Sequence, residues 1–171
     1  MLLELINLAK LRRGFIYAGI VLLVLLIQNL ALSQIVILNA SPMIIPIVVV
    51  AVGFFEGGVW GGVYGLVIGL VCDMTLNEPG VMMTVLFPII GFFSGALTMF
   101  VMSRRLMPFF CVCTCALLLT AICQMFRFIV FAETDVIFAV LTGAFQTLWS
   151  LPFIFAVYYP CRTVSRLDLS K

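Results

Sequence analysis

The side chains able to do chemistry in this 171-residue chain are few: seven carboxylates, nine lysines and arginines, six cysteines and no histidine. The cysteines stand at 72, 111, 113, 115, 123 and 161, all within or at the ends of apolar runs. None forms the C-x-x-C pair that opens many zinc sites, and no histidine can complete one. Cys111, Cys113 and Cys115 are spaced by two, so on a helix successive members point about 200° apart and cannot converge on one metal. There is no G-x-S-x-G-like nucleophile motif, and no two acids pair inside an apolar run, so the parts for general acid–base or metal chemistry are missing. These residues predict a non-enzymatic protein with no metal and no cofactor.

Composition accounts for that scarcity. Hydrophobic residues make up 65% of the chain and charged residues 9%, with a mean hydropathy of +1.32. A water-soluble domain carries roughly 25% charged residues and could not hide so much apolar surface in one core, so lipid must be the solvent. The net charge of +2 is too small to suggest nucleic acid. The basic residues sit in short clusters beside apolar runs, where anionic headgroups would meet them.

The elements that hold these residues follow from the uncharged runs. Gly14 to Leu32 has no charge and follows Lys10, Arg12 and Arg13, the length and flank of a first spanning helix. It is longer than the apolar core of a signal peptide, which favours an uncleaved anchor over cleavage near Ala31-Leu32-Ser33. Met1 to Leu11 suits a short interfacial helix or a tail. Val81 to Met102, Leu106 to Phe126 and Val136 to Tyr159 are three further spans. Met43 to Cys72 is interrupted only by Glu56 and reads either as one long tilted helix or as two short ones turning near Glu56-Gly57-Gly58.

Charge chooses the second. With two helices there, Lys10/Arg12/Arg13, Arg104/Arg105 and Arg162/Arg166/Lys171 all fall on one side, which the positive-inside rule makes cytoplasmic. The expected fold is therefore all-α: a six-transmembrane-helix bundle with helices near 14-32, 43-56, 58-72, 81-102, 106-126 and 136-159. It forms a single membrane domain over 1-171 with both termini cytoplasmic. No segment between or beyond these helices reaches 15 residues, too little for a separate catalytic domain. Asp73 and Glu56 then lie on opposite faces and cannot form a catalytic dyad.

Gly53, Gly57, Gly61, Gly65 and Gly69 recur every fourth residue and lead to Asp73, while Gly91 and Gly95 form a G-x-x-x-G on the next helix. Such a stripe leaves a groove in which a neighbouring helix can lie backbone to backbone. The occupant is either another helix of this chain or the helix of a partner, and on the second reading Gly65→Leu or Gly69→Leu would strip the partner off. Asp73 falls at the outer end of helix 3 as a cap or a partner contact. Arg127 is the only cation on that side, within reach of an ion pair with Asp73, Glu133 or Asp135. Gln28, Asn29, Gln124 and Gln146 are candidates for hydrogen bonds between helices. Pro46, Pro88, Pro108 and Pro152 lie inside or near the starts of apolar runs and can kink them.

The stretch EGGVWGGVYGLVIGLVCDMTLNEPGVMMTVLFPIIGFFSGAL, Glu56 to Leu97, resembles the MreD family of rod shape-determining proteins. That family has a glycine-rich helix ending in Asp, a loop with Gly, and a following helix with Pro and small residues. The matching positions here are Gly61, Gly65, Gly69, Asp73, Gly80, Pro88, Gly91 and Gly95. The resemblance implies a multi-pass protein of the bacterial plasma (inner) membrane that partners MreC. Through MreC it would help organise MreB, RodA and a transpeptidase, so that it regulates peptidoglycan synthesis without being an enzyme. The MreD fold is in turn similar to the S components of energy-coupling factor transporters. The alternative is thus a vitamin-binding subunit, with Gln124, Arg127, Gln146 and Trp149 lining its cavity. Helix 1 offers only Gly14 and Ala18 where S components place small residues, and its bulky Val21 to Ile27 weighs against that alternative.

Overall fold

The structure, a computed structural model, describes residues 2–28, 30, 43–75, 82–100, 106–131 and 136–166. Within them lie six helices: α1 (Leu2–Ile27), α2 (Ile45–Glu56), α3 (Gly58–Thr75), α4 (Met82–Phe100), α5 (Leu106–Phe131) and α6 (Val136–Arg166). Four stretches are long and apolar enough to cross a membrane: Gly58–Thr75, Met82–Met99, Leu106–Phe126 and Val140–Val164. The apolar parts Gly14–Ile27 of α1 and Ile45–Glu56 of α2 are shorter. The leading segment is neither a separate interfacial helix nor a tail, because α1 is continuous from Leu2. α1 runs to Ile27 and helical geometry continues, as a π turn, at Gln28 and Leu30, while the expected end near 32 falls among residues 31–42, outside the described residues.

Between Met43 and Cys72 the chain is two helices, and Gly57 is the reason. Its backbone has φ +103° and ψ 167°, a combination essentially confined to glycine. Its N–H closes α2 by donating to Gly53 O at 2.9 Å, and its carbonyl accepts from Gly61 N–H at 2.9 Å to open α3. The turn sends α3 back along α2, so Gly53 lies beside Gly61.

α2 is apolar on every side, a pattern that requires burial all round. Every residue from Ile45 to Phe55 is buried, and the helix is enclosed by α1, α3, α4, α5 and α6. Its 12 residues rise only about 18 Å, short of a hydrocarbon core of about 30 Å. Pro46 sits in its first turn, where a missing N–H leaves no intrahelical bond unmade. Pro88 in α4 and Pro152 and Pro160 in α6 lie inside their helices.

At the Gly57 end the core is aromatic. Phe109 packs edge-on to Phe54 with ring centroids 5.2 Å apart, and Tyr158 stands 5.2 Å from Phe109. All four tyrosines gather at this end. Tyr64 Oη–H donates to Gly14 O at 2.7 Å, Tyr17 Oη–H to Cys161 O at 3.4 Å, and Tyr159 lies beside Tyr158. Arg162 sets its guanidinium 5.5 Å from the Tyr158 ring centroid. Outside, α3 exposes Val59, Trp60, Val63, Leu66 and Val67, and α4 exposes Val85, Ile89, Phe92 and Phe93, surfaces suited to lipid rather than water.

Gly57→Ala forces an L side chain into a glycine-only conformation, so it is expected to destabilise the bundle by about 1–3 kcal/mol. The thermal unfolding midpoint of the purified protein in detergent checks this.

Candidate functional site

The glycine stripe is filled by the chain itself. A Cβ on Gly65 would stand 2.5 Å from Phe87 O, and one on Gly69 would stand 2.5 Å from Met83 O. On Gly61 it would strike Gly91 O and Gly53 Cα, and on Gly91 it would strike Gly61 O. Each step of four down α3 matches a step of four back up α4, so the two backbones touch along their length. Gly95 closes the series against Gly57 and Gly58. Gly53 enters from α2, where a Cβ would collide with Gly91 O and Ser94 Oγ, and Ser94 Oγ–H donates to Gly91 O at 2.8 Å. Three helix backbones therefore meet at Gly53, Gly61 and Gly91. Of the two occupants the residue pattern left open, a helix of this chain is the one present: α4 lies in the groove. Gly57 belongs to the turn rather than the stripe, with only Met99 Cε near its would-be side chain, at 3.8 Å.

Asp73 ends this interface as a cap. Its Oδ2 accepts from Thr84 N–H at 2.8 Å and Thr84 Oγ1–H at 2.6 Å, and its Oδ1 accepts from Met83 N–H at 3.3 Å. Met83 and Thr84 open α4, where the first N–H groups have no helical partner. A carboxylate placed there satisfies two of them and faces the positive end of the helix dipole. Asp73 thus reaches from the last turn of α3 to the first turn of α4, at the opposite end of α4 from Phe100. The Arg127 side chain lies outside what the structure describes, as do Asn29, Gly80, Glu133 and Asp135.

A second polar group gathers where α2 begins. Met43 N–H donates to Ser150 Oγ at 3.0 Å and Ile44 N–H to Gln28 Oε1 at 3.0 Å. The buried start of α2, which has no side-chain cap of its own, is thus satisfied from α6 and α1. Ser150 Oγ–H in turn donates to Gln146 O at 2.8 Å. The amides of Gln124 on α5 and Gln146 on α6 both donate to the Met43 thioether, at 3.4 and 3.7 Å. A cavity of about 10 Å³ adjoins them, lined by Met43, Leu117, Thr120, Ala121, Gln146 and Thr147. That is room for about one water molecule. Of the side chains expected to line a ligand cavity, Gln124 and Gln146 come together here, whereas Trp149 is exposed.

Sequence reasoning found the glutamines but missed Met43, Ser150 and Thr84. A serine or methionine within an apolar run carries no periodic signal, and its role appears only when another helix's unpaired N–H lies against it. The C-x-C-x-C run divides as helix geometry requires, with Cys113 buried and Cys111 and Cys115 exposed.

Two substitutions probe the interface. Gly61→Ala must push α3 away from both α2 and α4, so a loss of about 1–3 kcal/mol is expected. Gly19→Ala meets nothing within 4 Å and should leave the unfolding midpoint unchanged or slightly raised. At the cap, Asp73→Ala is expected to cost about 0.5–2 kcal/mol, with hydrogen exchange accelerated at Met83 and Thr84 ahead of the rest of α4. No family model, curated protein or solved structure matches the chain.

Proposed function

We propose that this chain is a non-enzymatic, multi-pass scaffold of the bacterial cell-elongation machinery, similar to MreD, that regulates peptidoglycan synthesis through MreC. MreC would in turn link it to MreB, RodA and a transpeptidase. The observation that carries this reading is the unity of the residues on which the family resemblance rests. Gly61, Gly65, Gly69, Asp73, Pro88, Gly91 and Gly95 are not scattered in space. They build one α3–α4 hairpin, packed backbone to backbone and latched at its end by Asp73. A pattern that maps onto a single packing unit is better explained by a shared fold than by composition alone.

The reading places six helices in the bacterial plasma membrane, with α2 as a short internal one and both termini in the cytoplasm. Supporting it, Arg162 lies over Tyr158 at the end of the bundle where all four tyrosines gather, as an interfacial aromatic belt beside a basic flank would. Because α4 fills the glycine groove, a partner helix must dock on an outer apolar face. All of the outer helices, α1 and α3 to α6, expose apolar side chains that could serve.

A second reading, a carrier subunit for a small molecule, draws on the convergence of Gln124 and Gln146. The adjoining cavity of about 10 Å³ is far below the ~300 Å³ of an ordinary ligand pocket, which favours the scaffold. Affinity purification from native membranes, read by mass spectrometry, separates the two. A single-pass MreC-like protein together with wall-synthesis enzymes is the expected catch. Recovery of a transporter ATPase without them would overturn the proposal.

A further inference from the structure

The polar cluster at the start of α2 contains two amides that are poorly matched to what they hold. Gln28 gives its oxygen to a backbone N–H, and Ser150 is engaged on both sides. Gln124 and Gln146, from different helices, both aim their Nε2–H groups at one sulfur, at 3.4 and 3.7 Å. A thioether is a weak acceptor, far below a carbonyl oxygen. It also sits on an unbranched side chain with three rotatable bonds, able to swing aside at little cost.

The surroundings complete a pattern. Thr120 Oγ1–H donates to Ala116 O at 2.7 Å and Thr147 Oγ1–H to Gly143 O at 2.8 Å, which leaves both hydroxyl oxygens able to accept. Both threonines line the cavity beside Met43. The site therefore offers two converging N–H donors and, next to them, oxygen acceptors. The group complementary to that arrangement has a carbonyl oxygen and an N–H on the same carbon. Among the described residues that form the site none carries a charge, so an ionised carboxylate would lose its hydration there without a counter-charge from them. Both glutamines are only partly buried, which gives the site a route to the surface.

We infer that the cleft between Gln124 and Gln146 binds a small uncharged carboxamide group, which displaces the Met43 thioether and takes both amide N–H bonds on its carbonyl oxygen. The space vacated by Sδ and Cε joins the existing cavity, so the bound group is of the size of a primary amide. This site goes beyond the scaffold reading and does not depend on it.

The full chain, labelled with ¹³C-methyl methionine in detergent and with the Met43 signal assigned through Met43→Leu, is titrated with acetamide and, separately, with sodium acetate. The Met43 methyl should shift saturably with acetamide and stay still with acetate. The acetamide response should vanish in the Gln124→Leu/Gln146→Leu variant. In Met43→Ala no thioether has to be displaced, so acetamide should stabilise that variant against heat with about fivefold tighter apparent binding, the size of one neutral hydrogen bond. The inference is overturned by a Met43 methyl that ignores acetamide, by an equal response to acetate, or by binding to Met43→Ala no tighter than to the parent. The Met43→Ala comparison stands even where the double leucine variant fails to fold.

Discussion

Three helix backbones come together at Gly53, Gly61 and Gly91, and the rest of the bundle is arranged around that contact. At each of these positions a single added carbon would overlap main-chain atoms of a neighbouring helix. Glycine in a helix costs about 1 kcal/mol relative to alanine, and this chain places it at every fourth position of α3. The return is dispersion between surfaces that fit without intervening side chains. Among helices bathed in lipid, which solvates leucine as well as a neighbouring helix does, that is a principal source of association. The packing of α3 on α4 in turn holds α2 in place, since Gly53 is pressed against both.

A helix as short and as deeply enclosed as α2 raises a second demand. Its first N–H groups lie inside the bundle, away from water, and each would be costly if left unpaired. Ser150 and Gln28 supply the acceptors from α6 and α1, while at the other end the Gly57 turn returns its N–H to Gly53. Asp73 does the same for α4. Gln28, Ser150 and Asp73 thus serve helix ends, while most serines and threonines of the apolar runs bond a carbonyl three or four residues back in their own helix. Gln124 and Gln146 stand apart because they share a sulfur rather than a backbone group.

That division bears on function. With the glycine surface consumed internally, it is not open to a helix from outside, and the acid at the end of α3 serves the fold. The proposed scaffold role would call for a rigid shape, and the backbone-to-backbone hairpin is a rigid unit. The small polar cleft between α5 and α6 is compatible with such a role. None of the residues that line it takes part in the glycine contacts of α2, α3 and α4, so a ligand there would not have to disturb them.

Much of the architecture was legible in residue order. Long uncharged runs identify α4 to α6 because an apolar stretch of that length has few other fates, and the glycine period together with Asp73 marks the α3–α4 hairpin. The break between α2 and α3 was readable from charge alone, since one helix there would carry Arg104 and Arg105 to the wrong side. What residue order could not decide was the occupant of the glycine groove, because a bare stripe looks the same whether α4 or another protein lies in it. Nor could it reveal Asp73 as the cap of α4, or the joining of Met43 to Gln124 and Gln146 across 81 and 103 positions. Those pairings depend on which helix ends lie at the same depth, a property of packed helices that no local period encodes.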